Sequence, residues 1–169
     1  MTITPILGCY KGILYPGIMA TLDGPKVLEF NARFGDPECQ AYMRLLKSDL
    51  LDLLEASIDG DMGAIKKTIE WNRGYAVNIV LASGGYPEKY EKGFPITGIK
   101  EAQSIEGVVV FHAGTKADGE QLVTNGGRVL GVSATGGTLK QALERAYLAA
   151  ELIKFQGKHY RKDIGAKVL

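Results

Sequence analysis

Short apolar runs alternate with glycine-containing turns along most of the 169-residue chain, and this pattern predicts many short strands. The first run, Tyr10–Thr21, is rich in Ile, Leu and Tyr and is interrupted by Pro16-Gly17. A proline inside such a run is typical of an edge strand or a bulge. Asp23-Gly24 then marks a tight turn, and Lys26–Asn31 returns as a partner strand. We therefore predict an antiparallel hairpin here.

Two helices are predicted after the hairpin. Asp36 followed by Pro37 is a typical helix start, with the aspartate as N-cap and proline at the first helical position, and the pattern continues to Leu46. Asp49 predicts the N-cap of a second helix over Leu50–Ile58, whose leucines recur at helical spacing. These leucines are most simply explained as core residues.

The second half of the chain reads as mostly β. Lys116–Gly119 is predicted to be a turn, and Asn125-Gly126-Gly127 predicts a second hairpin. Thr138 predicts the N-cap of a closing helix, Leu139–Lys154, before an irregular basic tail. The predicted strands are Tyr75–Ala82, Ile96–Ile99, Val108–Ala113, Gln121–Thr124 and Arg128–Ala134.

The change of character after the predicted helices suggests two domains, residues 1–70 and 71–169. The boundary lies within a connector, Asp61–Gly74, that contains a short predicted helix over Ala64–Ile69. Residues 1–7 are expected to be a vector-derived leader, since Met1–Pro5 has the look of one. The fold class expected is α+β.

Composition excludes several functions. Apolar residues make up 46% and charged residues 23%, as in an ordinary globular protein, and the net charge of +1 predicts no nucleic acid partner. No run is long enough to span a membrane, and no secretory signal is visible. Cys9 and Cys39 fit no metal spacing, so we expect a reduced, cytoplasmic setting.

Candidate chemistry concentrates in the ten residues Glu29–Glu38. Glu29 and Asn31 point to the same side of a strand and offer oxygen ligands of the kind Mg²⁺ prefers. Arg33 and Asp36 follow in a glycine-containing loop, where an arginine can form a bidentate fork with carboxylate or phosphate. The alternative for the Glu-x-Asn pair is a solvated sheet face, and for Asp36 it is the helix cap alone.

Other candidates are weaker. Ser83-Gly84-Gly85 lacks the lysine and helix of a phosphate-binding P-loop and is interpreted as a turn. Thr135–Thr138 leads into a helix and is a somewhat better candidate for an anion site. His112 and His159 have no visible nucleophile partner, which argues against a hydrolase of the Ser/His/Asp or Cys/His type.

The stretch Leu28–Gln40, with its Arg-Phe-Gly-Asp-Pro-Glu core, resembles the diagnostic motif of the glycinamide ribonucleotide synthetases, the phosphoribosylamine–glycine ligases. The resemblance extends from about residue 8 to the end of the chain. Further segments that carry it are Tyr10–Tyr15, Leu81–Pro87, Phe111–Thr115, Gly126–Leu130 and Tyr160–Gly165.

This resemblance implies an ATP-grasp ligase of purine synthesis, in which ATP phosphorylates glycine and phosphoribosylamine then attacks the acyl phosphate. It implies that Glu29 and Asn31 bind Mg²⁺ or Mn²⁺ and that Leu28 packs under the adenine of ATP. Arg33 and Asp36 match the loop beside the substrates and are the candidate catalytic residues. The fold implied is the C-terminal portion of an ATP-grasp subdomain, a hairpin plus helices, followed by a β-rich C-terminal domain.

The resemblance covers only the C-terminal part of such a ligase. We therefore expect a fragment that is inactive alone and binds neither metal nor ATP tightly. Whether the chain by itself is an enzyme stays open. Two alternatives are a self-associating structural fragment, a homodimer or swapped assembly through the exposed hairpin, and one half of a split ligase that needs an N-terminal partner.

Overall fold

The computed structural model describes residues 10–61, 63 and 69–168. Contacts divide them into two units. The hairpin unit contains the described residues up to Asp36 and those from Leu46 to Trp71, and the sheet unit contains Pro37–Leu45 and the described residues from Asn72 onward. The predicted leader over 1–7 and most of the predicted connector helix over 64–69 lie outside the described residues.

The elements confirm a mixed α+β fold with antiparallel sheets. Their bounds are β1 Tyr15–Thr21, β2 Gly24–Asn31, α1 Cys39–Tyr42, α2 Leu50–Asp59, β3 Tyr75–Ala82, α3 Ile99–Gln103, β4 Val108–His112, β5 Thr115–Asp118, β6 Gln121–Thr124, β7 Arg128–Gly136 and α4 Leu139–Leu152. No helix among the described residues is long and apolar enough to cross a membrane.

The predicted first hairpin is confirmed, and a bulge interrupts it. β1 and β2 pair as a two-stranded antiparallel sheet whose register shifts next to Gly17. Gly17 lies opposite Glu29 and Ile18 lies opposite Val27, so Leu28 is an extra residue with no partner on β1. An extra residue of this kind bends its strand and changes the direction of neighbouring side chains.

The second predicted helix, α2, is confirmed together with its predicted N-cap. The Asp49 side chain accepts a hydrogen bond from the Leu51 N–H at 2.8 Å, and the helix ends at Gly60 in the left-handed conformation. Ala56 is the only buried residue of the helix, while Leu51 and Ile58 are about 60% exposed. The helix therefore has an apolar stripe that the described residues cover only in part.

The sheet unit is built on three antiparallel strands in the order β3-β7-β4. Helix α4 packs against this sheet, and its predicted cap is confirmed, since Thr138 Oγ1 accepts a hydrogen bond from the Gln141 N–H at 3.1 Å. Residues of both the sheet and the helix are fully buried in the resulting core. They include Ile79, Leu81, Val132, Ala134, Ala146 and Ala150.

The predicted hairpin at Asn125-Gly126-Gly127 is wrong. β6 pairs with β5, and β7 pairs with β3 and β4. The segment predicted as a turn, Lys116–Gly119, contains most of β5. The turn itself falls between Asp118 and Gln121 and lets β6 pair antiparallel with β5. Gly126 instead packs against Gly114, so closely that a Cβ on Gly114 would lie 2.6 Å from the Gly126 Cα.

The predicted strand Ile96–Ile99 is also wrong. Pro95 and Thr97 form only isolated bridges, to Val123 and Lys154, and α3 begins at Ile99. Gly98, in the left-handed conformation, ends the extended stretch and forms the N-cap of this short helix.

The predicted helix from Asp36 to Leu46 is reduced to the single turn α1. Its N-cap is Glu38, which makes no side-chain capping bond, so the prediction of Asp36 as cap is wrong. In a continuing α-helix the Arg44 N–H would donate to Gln40 O. Here the Arg44 N–H donates to Ala41 O instead, and Gln40 O accepts a hydrogen bond from the Ser133 hydroxyl at 2.7 Å. A tighter turn within the segment and one bond from the sheet thus replace the expected helical bond between Arg44 and Gln40.

Candidate functional site

The structure brings Glu29 and Asn31 together on one face of β2. The Asn31 Nδ2 donates a hydrogen bond to Glu29 Oε1 at 3.0 Å. Its contact with Tyr15 O on β1 is longer, at 3.5 Å. The same-face placement expected from strand alternation therefore holds on the far side of the bulge.

Gly17, which the sequence analysis did not single out, provides space for this pair. It lies opposite Glu29, and a Cβ there would be 3.1 Å from the Glu29 Cγ. Such a distance would force the carboxylate side chain to move, so glycine permits its observed position. Only the strand register reveals this role.

Leu28 and its apolar neighbours form an uncovered surface. Leu28 is 63% exposed, and at least half of each neighbouring side chain is also exposed. Strand alternation predicts the Phe30 side chain on the side opposite Glu29 and Asn31, where a core could cover it, yet Phe30 is 57% exposed. We call this set of exposed apolar side chains, which lie on both sides of the two strands, the hairpin face; its members are Ile18, Met19, Val27, Leu28 and Phe30.

Both candidate catalytic side chains are exposed. The Arg33 Nη1 donates to the neighbouring Phe34 carbonyl at 2.8 Å, which leaves the rest of its guanidinium fork available for an anion. Asp36 lies in the turn that precedes α1. A helix of four residues adds little to anion binding, so any such role falls to the side chains themselves.

Glu29 and Asn31 suit part of a magnesium site. Among the described residues no group of three His, Cys, Asp or Glu side chains could hold a metal ion. The pair offers hard oxygen ligands, and Mg²⁺ commonly takes only one or two protein ligands beside water and phosphate. Asn31 now turns its Nδ2 toward Glu29, so a half-turn of the amide would place Oδ1 there instead.

The weaker candidates have structural partners. Ser83 is 2% exposed, and its hydroxyl donates to Gly126 O at 2.8 Å, which ties the loop after β3 to the loop before β7. The Thr138 hydroxyl caps α4. The His112 Nδ1 lies 3.1 Å from Thr115 Oγ1 on the exposed end of β4.

Residues 37–45 are held by polar groups of the sheet that sequence reasoning missed. Arg44 donates a hydrogen bond to Gly107 O at 3.0 Å, and the Asn78 side-chain amide adds a longer, weaker contact to Pro37 O at 3.4 Å. Burial lowers the pKa of the Arg44 guanidinium. Together with the bond from Ser133, these contacts attach the segment after Asp36 to the sheet unit, and we call this segment the clamped segment.

Comparison with known proteins shows the class of this fold. The biotin carboxylase domain of 2-oxoglutarate carboxylase from Hydrogenobacter thermophilus, solved in complex with MgADP, superposes with a TM-score of 0.54 at 15% identity. The match covers 87% of this chain and 34% of that one. Residues 6–39 match the description "Phosphoribosylglycinamide synthetase, ATP-grasp (A) domain". The fold is therefore that of part of an ATP-grasp enzyme.

The second half of the chain identifies the family more specifically. Residues 76–167 match "Phosphoribosylglycinamide synthetase, C domain", and the chain belongs to this family. Phosphoribosylamine–glycine ligase of Chlorobaculum tepidum is 50% identical over 160 residues. The ligase of Thermotoga maritima, as a crystal structure, superposes with a TM-score of 0.70 at 39% identity and covers 89% of this chain.

The match to the Chlorobaculum tepidum ligase covers 95% of this chain but only 37% of that ligase. It likewise spans 36% of the Thermotoga maritima ligase. The matches thus cover nearly the whole of this chain, but only about a third of the length of each of these relatives.

Proposed function

We propose that this chain acts as the C-terminal part of a phosphoribosylamine–glycine ligase. The ligase joins glycine to 5-phosphoribosylamine with ATP and yields glycinamide ribonucleotide, ADP and phosphate. The observation that carries the proposal is the Glu29–Asn31 pair, set at 3.0 Å on an exposed hairpin within a chain 50% identical to such a ligase.

Glu29 and Asn31 are the proposed ligands of Mg²⁺ or Mn²⁺. A metal ion bound there would offset negative charge on nucleotide phosphates. Glu29 contributes a full charge and Asn31 a neutral oxygen, and Gly17 leaves the carboxylate room to turn. Two protein ligands alone hold Mg²⁺ weakly, so we expect tight binding only when the phosphates of ATP are present.

The remaining roles follow from chemistry and exposure. Leu28 projects from the bulge and offers an apolar surface for the adenine ring. Arg33 would pair with a carboxylate or phosphate through its free guanidinium nitrogens. Asp36 would accept hydrogen bonds from the amine of a substrate.

A further part of the ligase is proposed to cover the hairpin face. Ala56 is the only buried apolar side chain among the described residues of the hairpin unit. Exposed apolar side chains of this number mark a protein contact. The relatives contain about twice as much additional chain as they share with this one, which supplies a suitable partner.

Reconstitution tests this proposal. We expect the chain to show no turnover with ATP, glycine and phosphoribosylamine until the remaining part of the Chlorobaculum tepidum ligase is added. Glu29→Gln should then lower the activity at least about tenfold, as loss of a metal contact does. Lys26→Gln, an exposed change on the same strand, should leave it unaltered. Turnover by the chain alone would contradict the proposal of an incomplete site.

A homodimer or swapped assembly through the hairpin face is the second candidate. It is favoured by the same exposed side chains and by the free edges of a two-stranded sheet, since unpaired strand edges pair readily with another chain. Light scattering should then show the molecular mass rising from that of the monomer to that of the dimer as the protein concentration increases. Leu28→Lys should restore the monomer. A monomer at all concentrations would exclude this assembly.

A further inference from the structure

The sheet unit contains a cavity that the proposed metal and nucleotide roles do not use. It has a volume of about 310 Å³ and lies between the loop after β3 and the segment after α4. Its volume is near the lower end of the range of about 300 to 1,000 Å³ typical of small-molecule pockets. The lining residues are Gly84, Lys89, Tyr90, Glu91, Phe94, Gln156 and Gly157.

Two glycines form one wall by direct backbone contact. A Cβ on Gly84 would lie 3.1 Å from Gly157 O, and a Cβ on Gly157 would lie 3.2 Å from the Gly84 Cα. Any side chain at either position would push the two loops apart. Neither glycine N–H donates to an acceptor within the described residues, so both are available to a ligand.

The rim carries polar groups of several kinds. Lys89 and Glu91 are exposed, as is the amide of Gln156. Within the described part of the chain none of these three side chains makes a hydrogen bond or an ion pair. One cation, one carboxylate and one amide are therefore free to contact a ligand that is itself both anionic and rich in hydroxyl groups.

The aromatic side of the cavity is held in place. Phe94 O accepts a hydrogen bond from the N–H of the buried Thr124 at 2.9 Å, and the Thr124 hydroxyl accepts one from the Phe94 N–H at 3.1 Å. Tyr90 packs edge-on against Tyr86 with ring centroids 6.2 Å apart. Both lining rings are half-buried, so an apolar surface lies beside the polar rim.

We propose that this cavity binds a phosphorylated pentose, the sugar phosphate that carries the amine in the ligase reaction. Lys89 and the glycine N–H groups would hold the phosphate, since a lysine and backbone donors are typical phosphate partners. Glu91 and Gln156 would bind sugar hydroxyls, and the aromatic rings would pack on the C–H face of the furanose. The small volume favours a pentose phosphate over a nucleoside triphosphate. The identity of the sugar rests on the proposed function, but its binding does not require turnover.

Titration of the full chain with ribose 5-phosphate, followed by ¹⁵N NMR, tests the proposal. We expect saturable shifts of the Gly84 and Gly157 amides. Lys89→Met should weaken binding about tenfold, as loss of one charged contact does. Lys92→Met, an exposed lysine nearby that does not line the cavity, should leave binding unchanged.

Two further titrations separate the phosphate from the sugar. Inorganic phosphate and ribose should each bind at least about tenfold more weakly than ribose 5-phosphate, because each fills half of the contacts. Equal affinity for inorganic phosphate would overturn the sugar assignment. Absence of shifts at Gly84 and Gly157 would overturn the site.

The outcome can be distinguished from that of the proposed function. If reconstituted ligase stays inactive while ribose 5-phosphate binds here, the cavity assignment stands and the proposed function fails. If the ligase is active and Lys89→Met leaves the KM for phosphoribosylamine unchanged, the cavity assignment fails alone. We expect a raised KM for this substrate with an unchanged KM for ATP.

Discussion

The bond between Ser133 and Gln40 offers a direct measure of how firmly the clamped segment is attached. Ser133 is fully buried on β7, and its hydroxyl donates to Gln40 O at 2.7 Å. Ser133→Ala removes this donor and leaves a partly buried carbonyl without its partner. A loss of this kind costs about 1 to 2 kcal/mol.

Hydrogen exchange reports the effect locally. The amides of Tyr42 and Met43 are bonded within the segment, to Glu38 O and Cys39 O. If the segment opens as a unit, a cost of about 1 to 2 kcal/mol speeds their exchange about 5- to 30-fold. The fully buried β3 position Ile79 should change less, because the sheet itself keeps its core.

A matched change on the same strand is Thr135→Val. The Thr135 hydroxyl lies 3.4 Å from Gly107 O, which is too long for a strong hydrogen bond. We expect this variant to alter exchange at Tyr42 and Met43 less than about twofold. Equal acceleration by both variants, or none with Ser133→Ala, would refute the attachment of the segment through Ser133.

Two more predictions concern the candidate site and the C-terminal segment. Gly17→Ala should displace the Glu29 side chain, because the added Cβ would lie 3.1 Å from its Cγ; the Asn31 side-chain NH₂ signals should shift in NMR spectra, and unchanged signals would show that the pair does not depend on Gly17. The hydrogen bond from Arg161 lowers the pKa of Asp163 below its ordinary value of 3.8, so any stability this pair contributes is present above pH 3.8 and is lost as the pH falls through the lowered pKa. Arg161→Gln should raise the Asp163 midpoint toward 3.8 in an NMR titration, and an unmoved midpoint would contradict the assignment of its cause.

Local signals predicted those parts of the fold that local contacts build. The Asp23-Gly24 turn joins two strands adjacent in sequence, and Asp49 and Thr138 cap helices through bonds to residues two or three positions away. The Glu29–Asn31 pair likewise follows from strand alternation, whose period of two survives beyond the bulge. In each case the deciding atoms lie within a few residues of one another.

The errors have distant causes. α1 is short because Ser133, 93 residues away in sequence, takes the carbonyl that a longer helix would use. Asn125-Gly126-Gly127 has the composition of a hairpin turn, but β7 finds its partners in β3 and β4. No pattern within one segment contains these pairings. The cavity beside Gly84 depends on the approach of Gly157, which is distant in sequence, so the local sequence predicts only a turn there.

The assignment of residues 37–45 to the sheet unit means that the backbone passes between the two units at three places, after Asp36, after Leu45 and after Trp71. A single protease cut therefore cannot release either unit whole. Expression of residues 72–168 by themselves would leave the Ser133 hydroxyl without its Gln40 acceptor, and a synthetic peptide of residues 37–45 should bind such a truncated protein as a ligand in trans. No single position in this chain therefore separates two independently folding units. The sheet unit has to be assembled from two separate segments of the chain.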